Sequence, residues 1–434
     1  MRILVVGSGG REHALVWKLA ESAHVDRLIC APGNAGIAAE RLAKNAAPVE
    51  CARVGAEDLP GLLELARSER IDLTVVGPDN PLALGIADLF ASRGLRIFGP
   101  NRSAARFESS KSFAQHFMDK YGIPTALAGS FDEPRAAKRF AASLPGGCVV
   151  KADGLALGKG VLVCPSRAEA ERAIDRMLVD GEFGAAGARV VVQELLEGIE
   201  VSLHALCDGK AALAFPASQD HKRALDADLG PNTGGMGTYC PAPFLEGAAL
   251  AEAQRRILEP FMRGCAAEGI EYRGILYPGI MLTASGPRVL EFNARFGDPE
   301  TQVYLTRLKN DLVELCEASV EGTLAGTTLE WSPLASVCVV MASGGYPGPY
   351  ARGKVVTGLE EAARLPRTKV FHAATAVEDG RIVTSGGRVL GVTALGEDLR
   401  TARAAAYAAV ERIHFEGAQF RRDIGRRALP GAAS

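Results

Sequence analysis

No stretch of this chain is both long enough and free enough of charge to cross a bilayer as a helix, so no membrane partner is expected. No two of its nine cysteines form a Cys-x-x-Cys pair; they stand singly at positions 30, 51, 148, 164, 207, 240, 265, 316 and 338. An odd, unclustered set argues against a disulfide framework or a zinc site and fits a reducing cytosol, so a cytoplasmic protein is expected. The seven histidines are equally dispersed. His204, alone in the apolar run 201–206, reads as a satisfied, half-buried residue rather than a metal ligand. Neither sign of charge dominates: the formal net charge is −2, which offers no basic field to nucleic acid. The start, Met1 to Gly7, is too short and runs too directly into a glycine turn to be a signal peptide, and reads as a first strand. Internal repeats, low-complexity tracts and heptad runs are absent. So is any Ser-His-Asp or Cys-His arrangement that would supply a nucleophile.

What is present is ordinary globular material, 47% apolar and 23% charged, over 434 residues. That length suggests about three domains. Residues 1–103 alternate strand and helix patterns: strands at 3–6, 27–30, 73–76 and 96–98, helices at 13–21, 59–68 and 82–93. This is the signature of βαβ units in a doubly wound parallel sheet, with ligands beyond the carboxyl ends of the strands. Residues 123–193 read as a small α+β unit inserted into a larger one that takes 104–122 and 194–330. Its elements are strands flanking a glycine loop at 147–164, a helix at 167–178 and a strand at 189–195. A composition shift near Trp331 opens a last α+β segment, 331–434, with strands at 337–342, 369–374 and 388–392 and a helix at 399–413.

The segment Glu291-Phe292-Asn293-Ala294-Arg295-Phe296-Gly297-Asp298-Pro299-Glu300 carries the first chemical signal. It follows an apolar strand start, and side chains two apart on a strand share a face. Glu291 and Asn293 would therefore set a carboxylate beside an amide oxygen. Such a pair suits Mg²⁺, which takes one or two protein oxygens and completes its shell with water and phosphates. Arg295 adds a cation where a phosphoryl group would sit. A bare Glu-x-Asn also occurs on surface strand ends, so other segments must support it.

They do. Lys151 stands at a strand end, followed by a loop with Gly154, Gly158, Lys159 and Gly160. The spacing is not that of a Walker A loop, because only three residues separate Gly154 from Gly158 and Gly160 follows the lysine. A glycine flap between two antiparallel strands is the alternative phosphate cradle. Next, the apolar strand 190–192 runs into Gln193, Glu194 and Leu196, a hinge suited to an adenine edge, with Glu200 in reach of ribose hydroxyls. Two polar segments, Ser218–Arg223 and Gly230–Gly237, have little helix or strand propensity and read as ligand loops. At the N-terminus, Gly7-Ser8-Gly9-Gly10-Arg11-Glu12-His13 lacks the third glycine of a dinucleotide fingerprint, since Glu12 occupies its place. A glycine turn opening a helix still suits a single phosphate or simply a tight packing turn.

The set Lys151–Gly160, Gln219–Arg223, Gly230–Gly237 and Glu291–Gln302 closely resembles the phosphoribosylamine–glycine ligase (glycinamide ribonucleotide synthetase) family of the ATP-grasp superfamily. The stretches Gly9–Leu15, Ala31–Gly36 and Arg422–Gly425 match it too, so the resemblance runs the length of the chain. It implies an ATP-grasp α/β fold in which 1–103 is an N-terminal domain on the phosphoribosylamine side. Residues 104–122 with 194–330 would form the central domain, 123–193 the lid and 331–434 a small C-terminal domain. It implies a ligase of de novo purine synthesis that joins glycine to 5-phosphoribosylamine at the expense of ATP. The intermediate is glycyl phosphate, and the metal is Mg²⁺ or Mn²⁺ on Glu291 and Asn293. Lys111, Lys151 and the loop Gly154, Gly158, Lys159 and Gly160 would meet the ATP phosphates. Gln193, Glu194 and Leu196 would meet adenine, and Glu200 the ribose. Arg295, Lys151 and Asp298 would assist phosphoryl transfer. The other substrates fall to Gly9, Gly10, Arg11, Glu12, His13, Pro78, Asp79, Asp220, Lys222, Asn232, Gly234, Gly235, Arg295, Gly297, Asp298 and Pro299.

The chain departs from the family pattern at Asp79-Asn80, Ser109, Gln193 and Ala294, none of them a metal or phosphate position. Asp79 is one methylene shorter than the expected Glu, while Gln193 keeps a side-chain oxygen to accept from an adenine amino group. A monofunctional monomer with small-molecule substrates is expected. The rival reading is another ATP-grasp ligase of the carboxylase type.

Overall fold

The computed structural model describes residues 1–156, 160–429 and 431. Its first sheet is wholly parallel, ordered Glu50–Cys51, Arg27–Pro32, Arg2–Gly7, Leu73–Val76, Ile97–Phe98. The apolar runs that mark these strands are buried on both faces, as a sheet covered by helices requires. Ile3 and Val5 pack with Leu15 and Leu19 of helix Gly10–Ala20, whereas Leu4 and Val6 pack with Leu62 of helix Leu59–Ser68 and with Phe90. The helix expected over 82–93 is instead two short ones, Asp79–Leu84 and Ile86–Ala91. They break at Gly85, whose φ of +92° belongs to a left-handed cap that glycine tolerates.

The inserted unit is a four-stranded antiparallel sheet ordered Ala128–Phe131, Val190–Glu194, Cys148–Ala152, Val161–Cys164. The period of two sorts its side chains. Cys148, Val150, Ala152, Val190 and Val192 pack under helices Pro134–Ser143 and Arg167–Leu178, while Val149, Lys151, Val161, Val163 and Gln193 face a cavity on the other side. Ser166 and Glu169 close a capping box that starts the second helix.

Opposite that cavity lies a sheet built on the long strand Arg273–Thr283, flanked by Ile199–Ser202 and Ala205–Asp208, with Gly286–Asn293 pairing antiparallel to it. The register skips Leu290: Gly279 faces Glu291, and Ile280 faces Val289. The strand bulges there, which leaves a main-chain carbonyl outside the ladder. Beneath it, Phe107, Phe117, Phe261, Tyr272 and Phe292 form one aromatic cluster.

A further sheet, ordered Gln219–Asp220, Gly237–Cys240, Ala335–Ala342, Arg388–Gly396, Thr368–His372, spans the composition shift near Trp331. Central and C-terminal segments thus share one hydrogen-bonded sheet, with helix Leu399–Val410 packed against it. The strands expected at 337–342, 369–374 and 388–392 are present with different ends. Segments 218–223 and 230–237, expected as loops, contain Gln219–Asp220, Arg223–Leu225 and Leu229–Asn232 as short strands, and Gly237 begins another. Their pairing partners, not their own propensity, hold them extended. All nine cysteines are free thiols, and among the described residues no helix is long and apolar enough to cross a membrane.

Candidate active site

Between the open face of the inserted sheet and the Gly286–Asn293 strand lies a cavity of about 470 Å³. Lys151 reaches across it from the strand Cys148–Ala152, and its Nζ donates to the carbonyl of the bulge residue Leu290 at 2.8 Å. Lys111 opens the helix Lys111–Tyr121, and its Nζ donates to the Gly154 carbonyl at 3.2 Å. Both ammonium groups lack an ion-pair partner among the described residues. Burial pulls the Lys151 ammonium down to about 8; Glu291 opposes this, while Lys111 and Lys222 add to it.

Glu291 and Asn293 both line the cavity, as expected for alternate residues of one strand. Burial pushes the Glu291 carboxyl up, but Lys222, Lys151, Lys111 and Arg295 outweigh it and hold the group at about 2. Glu291 is therefore an ionised carboxylate with no direct counter-ion among the described residues. Asn293 turns Nδ2 to the Tyr277 carbonyl at 3.3 Å and keeps Oδ1 toward Arg295 Nη2 at 3.2 Å, which leaves one lone pair of that oxygen. These two hard oxygens fit a divalent cation.

Arg295 is not a free cation. It pairs with Glu108 at 2.8 Å, and only its buried Nε has no partner. Burial works against the Arg295 charge, but Glu108, then Asp79, holds it well above its ordinary value. Glu108 Oε2 also accepts the Ala294 N–H at 2.7 Å, so this carboxylate shapes the main chain between Asn293 and Arg295. Its position gave no signal in the sequence. Lys222 pairs with Glu200 at 2.8 Å, and both line the cavity. Gln193 gives its Nε2 to Gln115 at 2.9 Å, which leaves Oε1 as an acceptor. The Glu194 carboxylate turns to Arg288 at 2.6 Å and to the Leu127 N–H at 3.0 Å, while Leu196 lines the cavity. Gly160 lines it as well; Gly158 and Lys159 lie outside the described residues.

At the far end stand Asp220, Asn232, Gly234, Asp298 and Asp79, with Gly235, Gly297 and Pro299 packed directly behind. Arg388, 90 residues away in sequence and unforeseen there, donates to the Asp298 carbonyl at 2.6 Å and to its Oδ2 at 3.1 Å. Burial pushes the Asp298 carboxyl up, and Arg388 with Arg11 brings it below the usual range.

The turn Gly9–His13 and Pro78 do not line the cavity. Gly9 and Gly10 stand beside the Asp298 carboxylate, where an added Cβ would come within 3.5 Å of it. The Gly9 N–H is taken by Glu12 Oε2 at 2.5 Å, so the chain's own carboxylate occupies this helix start. Gly7 and Gly77 carry no Cβ where the Glu12 side chain lies, which gives the glycine turn a packing role. Arg11 pairs with Glu12 at 2.5 Å and donates to the Phe296 carbonyl at 3.1 Å. His13 is buried away from the cavity, bonded to Glu40 at 2.9 Å and to the His372 N–H at 2.7 Å. His204 is fully rather than half buried and only partly satisfied: Nε2 accepts the Gly297 N–H at 3.2 Å and the ring stacks on Tyr277 at 4.1 Å, but buried Nδ1 has no partner among the described residues.

Three family models match most of the chain: the N domain of phosphoribosylglycinamide synthetase at 1–108, its ATP-grasp (A) domain at 109–301 and its C domain at 336–427. The chain belongs to the phosphoribosylglycinamide synthetase family. It is 48% identical over 430 residues to a phosphoribosylamine–glycine ligase of Vibrio cholerae, covering 99% of each chain. The crystal structure of a phosphoribosylamine–glycine ligase from Thermotoga maritima superposes with a TM-score of 0.81 at 34% identity, over 98% of this chain and 100% of that one. A biotin carboxylase from Campylobacter jejuni gives a TM-score of 0.73 over 96% of this chain and 93% of that one. Its identity is 15%, a likeness of fold alone. This synthetase family is therefore an ATP-grasp fold in this chain, with a parallel-sheet N-terminal domain.

Proposed function

We propose that this chain catalyses the ligation of glycine to 5-phosphoribosylamine, giving glycinamide ribonucleotide, ADP and phosphate. The observation that carries the reading is the ionised Glu291 carboxylate, which has no ion-pair partner among the described residues, beside Asn293 and across from lysines 111 and 151, likewise unpaired among those residues. A polyphosphate between them would satisfy both signs of charge. The glycine carboxylate is a poor electrophile, so its oxygen first attacks the γ-phosphorus and ADP leaves. The amine of phosphoribosylamine then attacks the glycyl carbonyl, phosphate leaves, and the amine gives up a proton. No protein nucleophile is needed; the chain positions groups and neutralises charge.

In this reading Lys111 and Lys151 hold the phosphates with the loop from Gly154 to Gly160. Gln193, Glu194 and Leu196 meet adenine, with Gln193 Oε1 as acceptor, and Glu200 meets the ribose. Glu291 and Asn293 would hold Mg²⁺ or Mn²⁺, which supplies charge neutralisation at the phosphates when bound. Arg295, fixed by Glu108, offers its positive charge to the transferring group. Asp298, Asp220, Lys222 and the Asn232–Gly235 segment face the acceptor substrates. Asp79 faces them too, and the turn Gly9–His13 supports that end from behind Asp298. The domain division at 103, 123, 193 and 330 goes with this reading, as does a monomer in the cytoplasm.

A coupled assay of ADP release with phosphoribosylamine tests it. Release should require both glycine and a divalent metal. Release driven by bicarbonate and indifferent to glycine would instead favour a carboxylase-type ligase.

A further inference from the structure

Two pairs of cysteines face each other directly across neighbouring strands: Cys30 with Cys51 in the N-terminal sheet, and Cys148 with Cys164 in the inserted sheet. In the first pair the thiols have separate partners. Cys30 Sγ donates to the Gly7 carbonyl at 3.3 Å, and Cys51 Sγ to the Asn34 carbonyl at 3.8 Å. In the second pair the two sulfurs are hydrogen-bonded to each other, and Cys164 Sγ also donates to the Leu162 carbonyl at 3.4 Å.

The backbone there suits a covalent bond. The Ala152 N–H donates to the Gly160 carbonyl at 2.8 Å, so Cys148 and Cys164, four residues further along each strand, are a hydrogen-bonded pair too. Such pairs hold their Cα atoms about 5.5 Å apart, inside the roughly 4.4–6.8 Å that a disulfide spans. The chains close up further at this end: a Cβ on Gly147, where φ is +99°, would lie 2.6 Å from the Cys164 carbonyl oxygen and 2.9 Å from Pro165 Cα. The thiols are 1% and 2% exposed, but Val161–Cys164 is the outermost strand, and Gly146 and Pro165 beside the pair are exposed. A small oxidant therefore needs only local opening of that strand to reach them. The two thiols are unequal. The hydrogen bond from Cys164 holds the Cys148 pKa below its ordinary value, and the same bond, then burial, holds that of Cys164 above. Cys148 is the sulfur that ionises first and attacks.

We propose that Cys148 and Cys164 are a peroxide-sensitive pair that closes to a disulfide and thereby lowers the affinity of the adjoining cavity for nucleotide. The Cys148 thiolate attacks one oxygen of hydrogen peroxide; the O–O bond breaks, a sulfenic acid forms, and the other oxygen takes up a proton and leaves as water. Cys164 then attacks the Cys148 sulfur, the S–O bond breaks, and a second water leaves with the Cys164 proton. Two thiols have lost two electrons, and peroxide has gained them. A hydrogen-bonded pair keeps its Cβ atoms wider apart than a disulfide does, so the new bond draws the strands together under strain and is readily reduced by small thiols. The pull reaches the cavity along the strand Cys148–Ala152, which carries Lys151 three residues on and pairs Cys148 with Glu194 on its other edge. Val149 and Val163, next in the two strands, are the pair that lines the cavity. The crosslink stands on the thiols alone; its consequence for nucleotide rests on the ATP site proposed above.

The test treats the native full chain with hydrogen peroxide, maps its disulfides by peptide mass spectrometry, and measures the Kd for ATP before and after. A Cys148–Cys164 link should form, the Kd should rise at least about fivefold, and dithiothreitol should reverse both. Cys164→Ala should bind ATP as the wild type does and be indifferent to peroxide. If that variant does not fold, the wild-type map and affinities decide. Peroxide that leaves both thiols free, a link that leaves ATP affinity unchanged, or an affinity change that survives in Cys164→Ala overturns the proposal and leaves the ligase reading standing. A reduced chain with no affinity for ATP overturns the ATP site and the nucleotide consequence with it, while the peptide map still decides whether the pair closes.

Discussion

Arg388 and Asp298 join the last segment of the chain to its reaction chamber: the guanidinium of Arg388 meets both the carbonyl and the carboxylate of Asp298, at 2.6 and 3.1 Å. The same group donates to the Gly234 carbonyl at 2.5 Å. One side chain thus fixes two segments at this end of the cavity, the ones proposed above to face the acceptor substrates.

Replacing Arg388 with Met should strand a buried carboxylate and loosen the Gly234 segment. We expect a loss of about 2–4 kcal/mol in unfolding free energy, below the full cost of breaking a buried pair because Arg388 keeps some solvent contact. Urea denaturation measures it. Arg388→Lys should recover only part, since an ammonium cannot make the forked contact.

Glu291→Gln removes the ionised oxygen that faces the lysines. Turnover should drop by at least about 100-fold with a denaturation midpoint close to wild type. Near-normal ADP release at saturating Mg²⁺ would remove Glu291 from the chemistry.

His221 ties the Gly237 and Gly425 backbones together as a neutral ring, with Nδ1–H donating to the Gly237 carbonyl at 3.1 Å and Nε2 accepting the Gly425 N–H at 3.4 Å. Burial and then Arg421 lower its pKa from 6.5 to about 4. A histidine depressed in the folded state stabilises fully above its unfolded value and loses that contribution as pH falls toward the folded one. Between pH 6.5 and 4, stability should therefore decline by about 3 kcal/mol from this group alone. Denaturation at pH 7 and pH 5 should show a smaller difference in His221→Asn than in wild type.

Phe107 is 1% exposed and has the rings of Phe113, Phe117 and Phe261 at 5.1, 4.7 and 4.6 Å. Phe107→Ala should cost about 3–5 kcal/mol, because the rigid rings around it cannot collapse into the space. Since Phe292 belongs to the same cluster and adjoins Glu291 and Asn293, the KM for the metal should rise in this variant as well.

Local signals carried far in this chain. Helices Lys111–Tyr121 and Arg167–Leu178 were legible to the residue, because Ser110 and Ser166 cap them and Gly122 ends the first in a left-handed turn. The pairing of Glu291 with Asn293 followed from strand alternation alone. What stayed hidden was non-local. Gly237–Cys240 is extended because Ala335–Ala342 pairs with it, about a hundred residues later. Glu108 and Arg388 sit in unremarkable sequence, and only the fold brings them to Arg295 and Asp298. Arg295 looked like a free cation for the same reason: its partner is far away along the chain. The glycine turn near the N-terminus admitted two explanations, and the Glu12 side chain lying over Gly7 and Gly77 favours packing.

The sheet that crosses residue 330 makes the last hundred residues something other than an appendage. Cut there, Gly237–Cys240 would lose the neighbour that satisfies its outer row of main-chain groups and would offer a raw edge to other chains. The Asn232–Gly235 segment hangs from that same strand. The wall of the reaction chamber and the C-terminal segment are therefore one hydrogen-bonded piece, and a cut at the seam would unsettle both.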